Sequence, residues 1–267
     1  MTFVLGALFS GFLSSCRFED PFIFYPHAHI EQTPGRVRLA FEDVFFTTDD
    51  GVQLNGWFVP YPQAQTTLLW FHGNAGNISH RVENIKLLHD KVGVNVFIFD
   101  YRGYGRSLGT VSEEGTYKDG AAALRYLLSR KDVNSKTLIF FGRSLGAAVA
   151  TELALHYPCR ALILEAPFAS IAKMARAAFP FLPITSLLRT RYDTEDKVRG
   201  IKTRLLVIHG DQDDIVPYNH GKEVFAAAPE PKEFYTIRGA RHNDTYIVGG
   251  DAYFSVLKGF IERSGLP

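Results

Sequence analysis

The chain has 267 residues, 46% of them hydrophobic and 13% aromatic, enough to bury one large core without requiring a second domain. Lysine and arginine number 29 against 28 for aspartate and glutamate, a formal net charge of +1. With no cationic excess to release counterions from a phosphate backbone, nucleic acid is not an expected partner.

Residues 3–12 are apolar apart from Ser10 and glycines, and they run into Leu13-Ser14-Ser15-Cys16, a tetrapeptide similar to a bacterial lipobox. Segment 1–16 therefore reads as a lipoprotein signal or membrane anchor, with Cys16 as the lipidation candidate. Against that reading, Met1-Thr2 supplies no basic n-region, and the run is short of the roughly 20 residues that span a bilayer. The alternative is a cytoplasmic protein whose amino terminus packs on its own surface. Cys16 and Cys159 lie far apart in unlike settings, which suggests no disulfide framework and excludes metal ligation by a Cys pair.

From 17 to 267 the chain reads as one domain. Residues 41–47 and 52–59 flank Asp49-Asp50-Gly51, a hairpin with a glycine-assisted turn and the one antiparallel signal. Beyond residue 66, short apolar runs alternate with longer helical stretches, the mark of βα units feeding a mostly parallel sheet covered on both faces. The expected strands are 67–71, 94–99, 137–141, 161–164, 204–208 and 233–237. The expected helices lie near 81–91, 112–129, 145–157, 218–228 and 252–263. Pro158 ends the third helix, and Pro217 is placed to open the fourth. Segment 168–201 is too long for a simple crossover. Its Met174, Phe179, Phe181, Leu182, Leu187 and Leu188, set among Arg and Lys, read as a small helical cap over the sheet.

The pattern G-x-S-x-G occurs twice, at Gly105-Arg106-Ser107-Leu108-Gly109 and at Gly142-Arg143-Ser144-Leu145-Gly146. A nucleophilic serine needs a strand that ends abruptly in a strained turn, followed at once by a helix whose N–H groups and dipole face the developing oxyanion. Only Ser144 has a strand pattern directly before it and a helix pattern directly after it. Ser107 lies in a Gly-rich loop beyond its strand and is followed by Gly109-Thr110-Val111, which starts no helix.

A serine hydroxyl becomes a good nucleophile when a histidine takes its proton and a carboxylate holds that imidazole's tautomer. In strand-turn-helix sites of this kind the chain order is Ser, acid, His, so only histidines downstream of Ser144 compete. His156, His209 and His220 fall on helices or a strand end, where packing or solvation explains them. His242 sits in the polar loop Gly239-Ala240-Arg241-His242-Asn243-Asp244 after the last expected strand. The acid should leave the carboxyl end of strand 204–208, where Asp211, Asp213 and Asp214 compete. Asp211 suits a tight turn after Gly210, and Asp214 suits a helix start. Elimination favours Asp213, with Asp211 next. An oxyanion needs two donors: Leu145 N–H, and one from the small-residue loop His72 to Asn77, where Asn74 N–H is expected and Ala75 is its neighbour candidate. His72 precedes the nucleophile and reads as a brace for that loop.

The loop 72–77, the run Asp100-Tyr101-Arg102-Gly103-Tyr104-Gly105-Arg106-Ser107, the elbow at Ser144, the segment 209–217 and His242-Asn243-Asp244, in this order, resemble the α/β-hydrolase family. The likeness is to its small esterase and acyl-thioesterase-like branch, related to membrane-anchored α/β-hydrolase-domain proteins, and it covers roughly residue 41 to the carboxyl end. The resemblance implies an α/β-hydrolase fold and a triad of Ser144, Asp213 and His242. It also implies Asn74 and Leu145 as oxyanion donors and a small acyl-ester or thioester substrate. Members of that branch often carry an amino-terminal anchor, which fits membrane association through 1–16; the missing basic n-region departs from the pattern. Two rival readings keep the fold: a catalytically silent binding protein and a serine peptidase. A dinucleotide site is set aside because Leu108 stands where the fingerprint after Gly103-Tyr104-Gly105 requires glycine. No metal or cofactor motif is expected.

Overall fold

The structure is a computed structural model, described over residues 19–181, 185 and 188–264. Segment 1–16 with Cys16, and Leu182 and Leu187 of the cap segment, lie outside the described residues.

The described residues form an eight-stranded sheet: β1 (Glu42–Thr47), β2 (Gln53–Val59), β3 (Thr67–Phe71), β4 (Asn95–Phe99), β5 (Leu138–Arg143), β6 (Ala161–Glu165), β7 (Arg204–Gly210) and β8 (Lys232–Ile237). Their spatial order is β1-β2-β4-β3-β5-β6-β7-β8. The expected hairpin is present, with Glu42 opposite Phe58 and Thr47 opposite Gln53. A second antiparallel pairing, Gly56 opposite Phe99 and Val59 opposite Val96, corrects the expectation of a single one. It arises because β4, not β3, lies beside the hairpin, a choice that crossover topology makes and local periodicity does not encode. The remaining pairings are parallel.

The helices are α1 (Asp20–Ile23), α2 (Val82–Leu87), α3 (Glu113–Ser129), α4 (Leu145–His156), α5 (Ile171–Ala178), α6 (Thr194–Val198), α7 (Tyr218–Ala227) and α8 (Thr245–Arg263). Successive strand side chains point to opposite faces, and the core divides accordingly. Leu69, Phe71, Phe97, Phe99, Phe140, Leu162 and Val207 pack with α3, α4 and α7 on one face. Leu68, Trp70, Val96, Ile98, Phe141, Ile163 and Ile208 pack with α2 and α8 on the other. These strands are apolar at nearly every position because both faces are covered. Two helices differ from expectation. The stretch near 81–91 closes as a π-turn over Leu88–Val92. The last helix starts seven residues early, at Thr245, with a kink at Gly250 (φ 50, ψ −141), where glycine's freedom lets one element continue across a break. None of the helices, among the described residues, is long and apolar enough to cross a membrane.

Residues 25–29, which show no helix or strand pattern, form a strap against the loop after β3. Gly76 N donates to Tyr25 O (3.1 Å), and the Asn77 amide donates to His27 O (2.8 Å) and His29 O (2.7 Å). Gly105 N also donates to His27 O (3.0 Å). The strap therefore touches both Gly-rich loops and frames one edge of the cavity described next.

Candidate active site

β5 runs two residues beyond its expected end because Gly142 and Arg143 stay in register with Leu164 and Glu165 of β6. The chain then turns through Ser144 at φ 52 and ψ −117 and enters α4 at the next residue. A non-glycine residue at positive φ stores backbone strain, and here the surroundings impose it. Ser144 N donates to Glu165 O (2.8 Å). A Cβ on Gly142 would lie 2.4 Å from Gly146 O, and one on Gly146 only 1.9 Å from Phe71 O. Both glycines are thus required by close approach of strand to helix, the physical content of the motif.

Ser107, the competing match, is buried and occupied. Its Oγ accepts from Asn55 N (2.9 Å) and donates to Asp100 O (2.6 Å), bridging the ends of β2 and β4.

His242 lies between β8 and α8, with Nε2 3.1 Å from Ser144 Oγ and Nδ1 2.8 Å from Asp213 Oδ2. An imidazole that donates from Nδ1 to the carboxylate leaves Nε2 free to accept the serine proton. The three competing aspartates separate by geometry. Asp211 Oδ1 accepts from Gly239 N (2.7 Å) and ties two loops together, while Asp214 Oδ1 faces His242 N at 3.4 Å. Asp213 Oδ1 accepts from Ile215 N (2.9 Å) and Val216 N (2.7 Å), which aims Oδ2 at the histidine. Burial alone would raise the Asp213 pKa, but hydrogen bonds from His209 and His242 outweigh it and hold the carboxyl well below the usual carboxylate range.

The sequence reads His209 as a packed or solvated residue; in the fold its Nε2 lies 3.2 Å from Asp213 Oδ2 and 3.1 Å from Val216 O. The signal that could have found it is its place at a strand end four residues before the acid. Of the other two histidines set aside, His156 pairs with Glu152 on the surface of α4 (3.1 Å). Burial lowers the pKa of His220, whose Nδ1 accepts from Ala169 N (3.4 Å).

Arg143 occupies the variable position of the elbow motif, to which the motif itself gives no role. Its Nε donates to Glu165 Oε1 (3.1 Å) and its Nη2 to Asn243 Oδ1 (3.2 Å) and to His242 O. Glu165 is fully buried and also accepts from Thr245 Oγ1 (2.5 Å) and Tyr253 Oη (2.6 Å). This network fastens the histidine loop to the strand that carries the serine. Its members are far apart in sequence and meet only through the β5–β6 register and the docking of α8.

On the opposite side, His72 Nδ1 lies 2.7 Å from Gly73 O, and its ring packs against Tyr101 and Tyr104. The side chain of Asn74 is committed to the strap: Oδ1 accepts from Tyr25 N (3.1 Å) and Tyr104 Oη (2.8 Å), and Nδ2 donates to Ile23 O. Asn74, Ala75 and Leu145 line one cavity of about 680 Å³ together with Ser144 and His242. Its wall is mostly apolar, with Phe22, Ile23, Phe168, Met174 and Phe179 from α1, the loop after β6 and the α5 region. Although the sequence shows no metal motif, the fold brings His27, Glu31 and His80 together on the surface, with ligand atoms within 4.8 Å of one another. None of the three lines the cavity.

A sequence model of the family described as serine aminopeptidase, S33, matches residues 62–190. The alpha/beta hydrolase domain-containing protein WAV2 of Arabidopsis thaliana is 35% identical over 283 residues, spanning 97% of this chain and 92% of that protein. Protein bem46 of Schizosaccharomyces pombe is 33% identical over 243 residues, spanning 88% and 81%. Among solved structures, the Pyrococcus furiosus esterase Pf2001 superposes with a TM-score of 0.76 at 22% identity, spanning 90% of this chain and 98% of that one. At that identity the likeness speaks for the fold alone.

Proposed function

The chain belongs to the α/β-hydrolase family, and from that premise we propose that it is a serine hydrolase cleaving carboxylic ester or thioester bonds through an acyl-enzyme on Ser144. The observation that carries the reading is the hydrogen-bonded line Ser144–His242–Asp213, at 3.1 and 2.8 Å, opening into a largely apolar cavity. Ser144 Oγ attacks the acyl carbonyl as its proton passes to His242 Nε2, while Asp213 stabilises the imidazolium. The carbonyl oxygen becomes an oxyanion held by the N–H groups of Leu145 and Asn74. Collapse breaks the bond to the leaving alkoxide or thiolate, which takes the proton from His242. Water then repeats the sequence on the acyl-enzyme, releasing the acid and restoring the serine.

The experiment is labelling with a fluorophosphonate probe together with hydrolysis of p-nitrophenyl butyrate, each on the wild type and on Ser144→Ala. Labelling and turnover that both vanish in the variant support the reading. A wild type inert to probe and ester would leave the silent binding protein in its place.

A serine peptidase is the second reading, favoured by the description of the matching family model. An aminopeptidase must hold a substrate ammonium; this cavity is lined by two arginines, Arg81 and Arg143, against one carboxylate, Glu19, whose Oε1 is engaged by Arg189 N and Thr190 N, so the charge balance of the wall favours the ester reading. Turnover of aminoacyl p-nitroanilides above that of esters would reverse the preference.

The expected anchor at 1–16 belongs to the same proposal. Chain 19 onward begins beside the cavity, where Phe22 and Tyr25 are exposed. Sedimentation of the full chain with membranes, abolished by removing 1–16, is the expected result.

A further inference from the structure

Arg81 closes the 3-10 turn Ile78–Arg81 that follows the loop after β3, and its side chain lines the same cavity as Ser144. One of its donors is committed: Nη2 bonds Ala75 O at 2.6 Å. Its Nε is buried with no hydrogen-bond partner among the described residues. Close by is a second cation, Arg143, whose Nη1 lies 3.6 Å from the position a Cβ on Gly73 would take. Glu165 balances Arg143 but is already shared among Arg143, Thr245 and Tyr253. Asp100, the other acid whose field reaches Arg81, is engaged by Ile78 N (2.9 Å) and faces His72. Arg81 thus lies in the field of two carboxylates, Asp100 and Glu165, but neither hydrogen-bonds to its guanidinium. Burial first, then the charge of Arg143, pull the Arg81 pKa below its ordinary value against the opposing fields of Asp100 and Glu165.

A buried guanidinium N–H left without a partner is costly. Bracing Ala75 O with one of five donors does not require a guanidinium beside the cavity. A guanidinium does present a rigid fork that matches a carboxylate or phosphate. Resting on the serine-hydrolase reading, we propose that Arg81 forms an anion subsite and that the substrate is an acyl ester or thioester bearing a carboxylate or phosphate group. The remainder of the cavity is apolar, so the substrate joins that anion to an aliphatic or aromatic body.

The test compares matched substrates on wild type, Arg81→Gln and Arg81→Lys. One arm puts the anion on the acyl group, using the mono-p-nitrophenyl ester of suberic acid against p-nitrophenyl octanoate. The other puts it on the alcohol, using 1-octanoylglycerol 3-phosphate against 1-octanoylglycerol. The expected result is that, in one arm, the anionic-to-neutral ratio of kcat/KM falls by on the order of 10- to 100-fold in Arg81→Gln. Arg81→Lys should retain part of that ratio, whatever loss both substrates share. The arm that responds tells whether the anion belongs to the acyl or the alcohol portion. Equal losses for neutral and anionic substrates in both arms would reduce Arg81 to a loop brace and overturn the proposal.

A second readout avoids turnover: calorimetric binding of monomethyl suberate and of glycerol 3-phosphate to Ser144→Ala, with and without Arg81→Gln. At least one anion should bind, and Arg81→Gln should weaken it by the same order. No binding of either anion, or binding indifferent to Arg81, overturns the subsite. A wild type that hydrolyses no ester, yet whose Ser144→Ala form binds an anion through Arg81, would instead sink the hydrolase reading and spare the subsite.

Discussion

Replacing each of the two motif serines by alanine should produce opposite phenotypes from the same chemical change. In Ser107→Ala the lost Oγ strands the N–H of Asn55 and the C=O of Asp100, both fully buried and bonded to it at 2.9 and 2.6 Å. Leaving a buried donor and acceptor unpaired costs about 1–3 kcal/mol each, so roughly 2–5 kcal/mol is expected, less whatever local shifts recover. For a domain of this size that is a fall in Tm on the order of 5–15 °C. Ester hydrolysis per folded molecule should hold within about threefold, since Ser107 does not line the cavity. Ser144→Ala removes an Oγ whose partner is His242 Nε2 and keeps the same strained backbone, so Tm should move by no more than about 3 °C. Its kcat should fall by about 10⁶-fold, as expected when the nucleophile of a triad is deleted. Differential scanning fluorimetry and p-nitrophenyl butyrate hydrolysis on the same preparations read both quantities. If Ser107→Ala were inactive at unchanged Tm, or Ser144→Ala fully active, the assignment of the two motifs would be wrong.

Asp213→Asn should cut kcat by about 10⁴-fold, because an amide presents the wrong partner to His242 Nδ1. Its stability should also respond differently to pH. The native Asp213 pKa lies below its ordinary value, so between the two the unfolded chain binds more protons than the native one. The ionised carboxylate's contribution is therefore present above about pH 4 and lost as the pH falls. Urea unfolding from pH 6 to 3 should show a shallower acid loss in the variant, and parallel curves would refute the coupling. Cys159 is pushed up to about 12 by burial. At pH 8 it should carry ~10³-fold less thiolate than an ordinary thiol near 9. Mass-spectrometric mapping should find it inert to iodoacetamide in the native protein and labelled in guanidinium; native labelling within tenfold of the unfolded rate would contradict this.

Local pattern was enough for the alternation of strands and helices and for placing Ser144, not Ser107, between a strand and a helix. Both follow from side-chain period and from glycines that let a strand meet a helix at contact distance, features a short window of sequence contains. The order serine, acid, histidine also narrowed the partners to His242 and a cluster of three aspartates. Which aspartate faces His242 was decided by the turn after β7, where Ile215 N and Val216 N orient Asp213 while Asp211 is spent on Gly239 N. The β2–β4 pairing, His209 behind the acid, the Arg143–Glu165 network and the place of Arg81 on the cavity wall are not legible in the sequence. Each depends on which distant segments become neighbours, and the field at a buried charge is set by those neighbours. Arg143 and Glu165 are 22 residues apart and His242 is 98 from Ser144. Sequence named the candidate groups; the fold decided what surrounds them, and with it the charge that the cavity presents.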